Sequence, residues 1–124
     1  VCCKPVNLLD IYPTLASLAG CKPPAKQLEG NDLSVLMKDP EAPWDEATVT
    51  TFGYKNYGVR SGRYRYIVYE DGSEELYDHA NDMWEWKNLA GNPQFAAVKK
   101  NMQKWIPVHH EPPGPTYKPP KRQW

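Results

Sequence analysis

The fold is decided by residues 59–78, which read VRSGRYRYIVYEDGSEELYD. This stretch holds runs of β-branched and aromatic residues, which favour strands, and the runs are separated by turn signals. The signals are Ser61-Gly62 and Asp71-Gly72, and the second is the stronger marker of a hairpin. The pattern therefore predicts strands at 64–70 and 74–77 that pair in an antiparallel meander.

Sequence on both sides of this stretch extends the sheet and supplies a cover for it. Residues 48–52 and 57–61 have the same strand character, and Asn92-Pro93 opens a helix that Pro107 ends. Its apolar stripe has helical spacing and comprises Phe95, Val98, Met102 and Trp105, with Ile106 beside it. We therefore expect an α+β fold, in which a small antiparallel sheet of about four strands is covered by a C-terminal helix.

An amphipathic helix is predicted near the start of the chain, at residues 8–19. Pro13 fits its first turn if the regular helix begins near Asp10, and Gly20 is a natural left-handed terminator before Pro23-Pro24. A second, short helical turn is expected at 33–37, entered through Asn31 or Asp32 as a cap. The apolar face of the first helix consists of Leu8, Ile11, Tyr12, Leu15, Leu18 and Ala19.

Length and charge limit the function classes. The chain has 124 residues, enough for one domain, and its 15 basic residues balance its 15 acidic residues. A neutral balance argues against nucleic-acid binding, which needs surplus positive charge to displace counterions from phosphates. No apolar run approaches the ~20 residues of a membrane span. The chain begins at Val1 without a signal peptide, as an internal fragment would.

Cysteine and histidine give no convincing metal or catalytic site. Cys2 or Cys3 could pair with Cys21, which leaves the other thiol free or paired elsewhere; buried or free thiols are favoured over a metal role. None of the histidines has a neighbouring residue in the sequence that would position it as a general base, and the rings of the adjacent pair, His109 and His110, should diverge. The histidines are His79, His109 and His110.

An acidic cluster follows the predicted hairpin and comprises Glu74, Glu75, Asp78, Asp82 and Glu85. Its spacing does not match a calcium-binding EF-hand loop, which needs oxygen ligands at alternate positions around a glycine. We interpret Asp82 as a helix cap, with Glu85 three residues on completing a capping box.

A candidate binding site precedes and includes the start of the strand at 57–61. It combines a cation, an amide and a hydroxyl, which suit the anionic and hydroxyl groups of a sulfated sugar. These residues are Lys55, Asn56, Tyr57 and Arg60. Elsewhere, ordinary partitioning explains the aromatic and basic residues, because strand alternation puts Tyr64, Tyr66 and Val68 on one face and Arg63, Arg65 and Ile67 on the other.

Several motifs, in order along the chain, resemble the C-terminal region of type I sulfatases. They are Asp-x-x-Pro-Thr-Leu at 10–15, Leu-Glu-Gly with a following polar-leucine step at 28–33, Val-Arg at 59–60, Arg-Tyr-Arg-Tyr-Ile at 63–67, Glu-Leu-Tyr-Asp at 75–78 and the Asn-Asp…Glu…Asn-Leu run at 81–89. The closest likeness is to bacterial iduronate-2-sulfatase-like enzymes. We assign structural roles to the motif residues Asp10, Pro13, Gly20, Glu75, Tyr77, Asp82 and Glu85.

The resemblance implies a fold and a set of partners. Type I sulfatases belong to the alkaline-phosphatase superfamily; a large α/β domain supplies formylglycine and calcium, and a small C-terminal subdomain borders the substrate pocket. Residues 1–40 would be the tail end of the large domain, 41–108 the subdomain, and 109–124 a Pro/Lys-rich extended tail. The partners implied are the catalytic domain of the same parent chain and a sulfated carbohydrate, in a periplasmic or secreted protein. Ile11, Leu15 and Leu18 would be left partly uncovered.

The chain lacks the family's catalytic signature, Cys-x-Pro-x-Arg. The arginine is replaced by Asn7 after Cys3-Lys4-Pro5, and by Ala25 after Cys21-Lys22-Pro23. We therefore expect no catalytic residue, metal ligand or cofactor in this chain, although its parent would be a sulfuric ester hydrolase acting on a sulfated glycan. The alternative is a stand-alone binding module derived from a truncated sulfatase gene. Two departures from the family pattern are Met83, in place of proline, and Tyr57-Gly58, in place of His-Ala.

Overall fold

The computed structural model describes residues 1–22 and 28–112, which form two compact units. The first unit is Val1–Thr48 and the second begins at Val49. The limits predicted from the family resemblance, at 40 and 108, concern the domains of a parent protein and stay a prediction. No helix within the described residues is long and apolar enough to cross a membrane.

The first unit contains the predicted N-terminal helix. A 3₁₀ turn at Leu8–Asp10 leads into α1, Ile11–Leu18. Pro13 is the third residue of α1, where a missing backbone N–H costs no intrahelical hydrogen bond. Beyond the helix, Gly20 has a φ of +69°, which confirms it as the left-handed terminator. Pro23-Pro24 lies outside the described residues.

Asp10, at the end of the 3₁₀ turn, and Thr14, in α1, are buried and bind the segment at residues 31–33. The Asp10 carboxylate accepts a hydrogen bond from the backbone N–H of Asn31 at 2.8 Å. The Thr14 hydroxyl donates to the Asp10 carbonyl at 2.6 Å and accepts from the N–H of Leu33 at 2.9 Å. The polar side chains of Asp10 and Thr14 thus hold residues 31–33 against the start of the helix.

The opposite side of α1 is apolar and exposed, as the sequence predicted. A helix face of this kind ordinarily packs against a core, because its burial drives helix formation in proteins. At least 49% of each side chain on this face is accessible to solvent, and the residues are Leu8, Ile11, Tyr12, Leu15 and Leu18.

A short second helix, α2, spans Ser34–Lys38, one residue later than predicted. The Asp32 carboxylate accepts a hydrogen bond from the N–H of Ser34 at 2.8 Å. It also bonds the Ser17 side chain, and the two contacts lower the pKa of Asp32. The N-cap residue of α2 is Leu33, so the prediction that Asn31 or Asp32 caps the helix is wrong, although Asp32 binds the first N–H group of α2.

The second unit is built on a four-stranded sheet with the order β1-β2-β3-β4. The strands are β1 Thr48–Thr51, β2 Tyr57–Arg60, β3 Tyr64–Val68 and β4 Glu74–Asp78. β2 and β3 pair antiparallel, as do β3 and β4. The predicted antiparallel meander is confirmed, with strand ends that differ from the prediction by at most two residues.

One face of this sheet forms the core. Val59 lies opposite Tyr66, which lies opposite Leu76, and all three side chains are fully buried. Since side chains alternate along a strand, Arg60, Arg65 and Tyr77 share the other face, in a row of register partners. The predicted division of β3 between an aromatic face and an arginine face is therefore correct.

The C-terminal helix covers the core face. Asn92 caps a 3₁₀ turn at Pro93–Phe95 by accepting from the N–H of Gln94 at 3.0 Å, and α3 follows at Ala96–Gln103. Met102 of the predicted stripe is buried, while the other stripe residues are half-buried. The prediction that the helix runs to Pro107 is wrong. The N–H groups after Gln103 reach back only three residues, in turns.

The outer edge of β4 is covered by the chain after it. The Asn88 side chain accepts from the N–H of Leu76 at 3.0 Å and donates to the carbonyl of Glu74 at 3.1 Å. The N–H of Leu89 donates to the carbonyl of Leu76 at 2.8 Å. Backbone groups that an edge strand would leave exposed are thus paired within the chain.

Candidate functional site

The residues proposed to bind a sulfated sugar begin in the turn between β1 and β2. Lys55 is exposed, has a φ of +55°, and its ammonium lies 5.1 Å from the centre of the Tyr54 ring. The Asn56 side chain donates to the Tyr54 carbonyl at 2.9 Å and accepts from the N–H of Glu70 at 3.2 Å. Asn56 is therefore engaged in fixing the turn, whereas the Lys55 ammonium faces solvent.

Tyr57 and Arg60 lie on opposite faces of β2. Tyr57 belongs to the core face and is only 7% exposed. Its hydroxyl oxygen lies 2.5 Å from His110 Nδ1, and the two ring centres are 5.5 Å apart. Arg60 stands on the other face, opposite Arg65. The structure therefore places the Tyr57 hydroxyl and the Arg60 guanidinium on different faces of the sheet. It also places His110, which the sequence predicted to lie in the tail, against the sheet.

Arg60 has an unusual environment for a guanidinium. Its Nη1 is buried and has no hydrogen-bond partner in the part of the chain that the structure describes. Burial lowers the pKa of Arg60, and Arg65 lowers it further, while the charge of Glu85 opposes them. A buried donor without a partner is costly, and an anion that accepted its hydrogen bond would remove that cost.

Glu85 organises this face of the sheet from the loop after β4. Its carboxylate accepts from Arg65 Nη1 at 2.9 and 3.1 Å and lies 2.6 Å from His79 Nε2. Burial acts to raise the pKa of Glu85, but hydrogen bonds from His79 and Arg65 outweigh it, so that the pKa is lowered. The backbone of Glu85 has a φ of +57°, which is uncommon for a residue other than glycine.

The predicted capping box at Asp82 and Glu85 is wrong, because residues 82–85 form a turn and not a helix. Asp82 is nevertheless the organising residue of the loop. Its carboxylate accepts from the N–H of Lys87 at 2.8 Å, and this bond and weaker ones from nearby N–H groups lower its pKa. It binds N–H groups as a cap would, but in a closed loop rather than a helical first turn.

Asp78 and Arg63 form an ion pair where the loop leaves β4. Arg63 donates to both oxygens of the buried Asp78 carboxylate, at 2.7 and 2.6 Å, and Asn81 adds a third bond at 2.7 Å. The guanidinium of Arg63 holds the pKa of Asp78 well below its usual range. Beside it, Glu75 accepts from the Tyr77 hydroxyl at 3.0 Å. These contacts stabilise the strand ends and show no catalytic arrangement.

No group of three or more His, Cys, Asp or Glu side chains is arranged to hold a metal ion within residues 1–22 and 28–112. The cysteines, for which pairing had been left open, are exposed free thiols: Cys2, Cys3 and Cys21. The chain thus presents a cationic sheet face and an organised loop.

The family model for the C-terminal region of N-sulphoglucosamine sulphohydrolase matches residues 3–111. This chain belongs to the sulfatase family. The sulfatase match covers both compact units and includes every motif on which the sequence resemblance rested. The predicted family and the α+β fold of its C-terminal subdomain are thereby confirmed.

Relatives with curated names agree with this family. A sulfatase of Formosa agariphila is 41% identical over 83% of this chain and 20% of its own length. A Δ4,5-hexuronate-2-O-sulfatase of Bacteroides thetaiotaomicron is 33% identical over 73% of this chain and 20% of its own. A solved structure in complex with its substrate D-glucosamine-2-N,6-O-disulfate matches 77% of this chain and 22% of that chain, at 25% identity and a TM-score of 0.63. The sulfatase chain described here spans about a fifth of the length of these relatives.

Proposed function

We propose that this chain is the C-terminal part of a sulfatase that hydrolyses sulfate esters of a glycan, and that it packs on the catalytic domain and borders the substrate pocket. The observation that carries the proposal is the family match over residues 3–111 of a sequence without the Cys-x-Pro-x-Arg signature. A glycan substrate is favoured because the relatives include a hexuronate-2-O-sulfatase and a structure solved with a disulfated glucosamine.

The exposed face of α1 supports packing on a larger domain. Its apolar side chains lie on the side of the helix away from the buried Asp10 and Thr14, so that the unit's own packing leaves them uncovered. Burying one leucine side chain stabilises an assembly by about 1.5–3 kcal/mol. A catalytic domain that covered Leu15 and Leu18 would therefore gain several kcal/mol, and its cover would also protect the chain from aggregation.

The pocket border is assigned to Lys55 and Arg60. Both are cations, and the half-buried guanidinium of Arg60 belongs to a side chain type that donates charge-assisted hydrogen bonds to sulfate and carboxylate oxygens. In this proposal Asn56 and Tyr57 are supporting residues, because Asn56 bonds within the turn and Tyr57 lies on the core face. The proposed border thus consists of two direct contacts and two supporting residues.

Formylglycine and calcium are implied by the family, and the residues of this chain do not fit either. The sequence lacks the signature cysteine motif, and its described residues include no metal-holding group. In the proposal, other parts of the enzyme hold both groups. This chain binds and orients the anionic substrate through cations that are held in place. It takes no part in the cleavage step itself.

The test is steady-state kinetics of the full-length enzyme with a sulfated disaccharide. We expect Lys55→Ala and Arg60→Ala each to raise KM about tenfold, the loss expected for one charge-assisted hydrogen bond, with a smaller effect on kcat. Lys100→Ala, which removes an exposed cation from α3, is the matched control and should leave KM unchanged.

Arg60→Lys separates charge from packing in the same assay. It should recover part of the affinity because the positive charge remains, although the planar fork is lost. A KM that no substitution at 55 or 60 alters, at wild-type thermal stability, would remove these residues from the pocket border. An absence of sulfate release by the wild-type enzyme from every sulfated sugar would instead count against the glycan sulfatase itself.

A further inference from the structure

We propose that Trp84 and Trp86 form a second contact site for the sulfated glycan, where the two indoles stack on sugar rings and neighbouring cations bind its sulfates. The identity of the ligand, a sulfated glycan, rests on the proposed function. It concerns the loop that leaves β4, not the turn that holds Lys55. We call residues 83–87, Met83 to Lys87, the tryptophan loop.

Exposure of the tryptophan loop is the first observation. Trp84 is 78% exposed and Trp86 is 88% exposed, with Met83 at 71% between the turn and the first indole. Tryptophan carries the largest aromatic surface of any residue and is seldom left in water to this extent. Neither ring contributes to the core of the second unit, so packing within this chain does not explain them.

The loop is held in place without help from its indoles. Asp82 binds the N–H of Lys87 at 2.8 Å, and Asn88 binds the β4 backbone at 3.0 and 3.1 Å. Between these anchors, Glu85 is fastened to Arg65 and lies 2.6 Å from His79. The backbone that carries both tryptophans is therefore fixed before any ligand arrives, which lowers the entropy lost on binding.

Charge beside the rings favours a sulfated sugar over the apolar surface of a protein. The residue between the indoles is Glu85, the residue after them is Lys87, and Arg65 lies 2.9 Å from Glu85. Lys and Glu are depleted at the centres of protein interfaces. A sulfated pyranose matches this mixture, because its C–H face can stack on the negative face of an indole while its sulfates meet Arg and Lys.

The tryptophan loop also adjoins the proposed pocket border. Arg60 lies opposite Arg65 in the sheet, Arg65 bonds Glu85 at 2.9 Å, and the two sequence neighbours of Glu85 are the exposed indoles. A glycan chain whose reacting sugar met Arg60 could therefore continue across the same sheet face to Trp84 and Trp86.

The experiment measures retention of the full-length protein by sulfated polysaccharides in affinity gel electrophoresis. Ulvan, ι-carrageenan and heparin serve as probes, and the one that retards the wild-type protein most is used for the variants. We expect Trp84→Ala/Trp86→Ala to weaken retention about tenfold, as two lost stacking contacts would. The temperature of unfolding should not change, because neither ring is packed.

Two matched variants distinguish stacking from general apolar contact. Trp84→Phe/Trp86→Phe keeps aromatic faces and should retain much of the affinity, whereas Trp84→Leu/Trp86→Leu should bind as weakly as the alanine variant. If the leucine variant were retained as strongly as the phenylalanine variant, stacking on an aromatic face would not contribute to binding, and the inference would be overturned.

The wild-type protein supplies the remaining outcomes. If none of the three polysaccharides retards it, or if the alanine variant is retarded as strongly as the wild type, the glycan contact site is wrong. Sulfate release by the wild-type enzyme is measured in parallel. Release with no effect of the tryptophans would overturn this inference alone, whereas no release from any sulfated sugar would overturn the proposed function beneath it.

Discussion

Gly30 occupies a place in the first unit where no side chain fits. A Cβ atom at this position would lie 2.0 Å from the carbonyl oxygen of Leu9 and 2.8 Å from the N–H nitrogen of Asp10. Both neighbours are backbone atoms at the start of the helix, so they cannot move aside as a flexible side chain would. The absence of a side chain at Gly30 lets the adjacent N–H of Asn31 reach the Asp10 carboxylate.

Gly30→Ala should therefore destabilise the protein by about 2 kcal/mol or more, since overpacking against fixed atoms costs at least as much as overpacking a core. Urea unfolding at pH 7 measures this loss. Gly91→Ala is the control, because a Cβ there meets nothing within 4 Å; it should stay within about 0.5 kcal/mol of the wild type. Equal stability of the two variants would mean that the close approach at Gly30 does not exist.

At the scale of single residues, the sequence predicted a role correctly where the interacting partners are close along the chain. It did not where the partners are distant in sequence. Gly20 acts within a few residues of itself, and it was assigned correctly as the terminator of α1. Strand alternation was applied to β3 but not to β2, where it places Tyr57 and Arg60 on opposite faces. The contact between Tyr57 and His110 joins residues 53 positions apart, which no local pattern reveals.

α3 is attached to the sheet through a small polar cluster as well as through Met102. Tyr66 donates its hydroxyl to Glu74, Lys99 pairs with the same carboxylate at 2.6 Å, and Gln103 donates to it at 3.1 Å. Burial, aided by the bond to Glu74, raises the pKa of Tyr66 to about 12. The helix is therefore held by a network in which Glu74 is the shared acceptor.

Acid should weaken this attachment. The hydrogen bond from Lys99 lowers the pKa of Glu74 below its value in the unfolded chain, about 4.3, so protonation favours unfolding. The stabilisation is present above that pH and is lost as the pH falls through the folded-state pKa. We expect Glu74→Gln to cost about 1 kcal/mol at pH 7 and progressively less from pH 5 to pH 3, measured by urea unfolding.

Glu70→Gln is the control for this experiment, because the Glu70 side chain is exposed and lies outside the α3 cluster. It should leave the free energy of unfolding close to that of the wild type at each pH. A Glu74→Gln deficit that did not shrink on acidification would indicate that the loss comes from packing and not from the charge.

The elements themselves were predictable because each had its own periodicity. Hydrophobic spacing identified α1, α3 and the strands, and the turn residues placed their ends within a few positions. The segment at 82–85 was missed because Asp82 and Glu85 have the spacing of a capping box. Distant partners determine the conformation of this segment instead. Glu85 has a positive φ, and its carboxylate bonds Arg65, which lies 20 residues earlier.

For the whole molecule, the exposed face of α1 is the strongest sign of a missing partner. Leu15 and Leu18 are 60% and 57% exposed, on a helix in which Thr14 is buried. In the proposed sulfatase this face is covered by the catalytic domain. When the 124-residue chain is produced alone, the same face is expected to make it self-associate.

Leu15→Lys/Leu18→Lys should therefore have opposite effects in two settings. In the isolated chain it should reduce aggregation, measured by light scattering, because two apolar side chains are replaced by cations. In the full-length enzyme it should lower the thermal stability, because the face loses its apolar contacts and must bury charge. Met37→Lys, at an equally exposed position in α2, is the control; equal behaviour of both variants in the full-length enzyme would argue against a covered α1 face.

Asn88 and Leu89, which cover the outer edge of β4, also determine what kind of aggregate the isolated chain can form. Growth of a cross-β fibril requires a strand edge with unpaired N–H and C=O groups. At Leu76 both backbone groups are bonded to the segment that follows. Strand addition at this position of β4 would therefore first require the segment at Asn88 and Leu89 to detach, so α1 and not the β4 edge is the expected site of association.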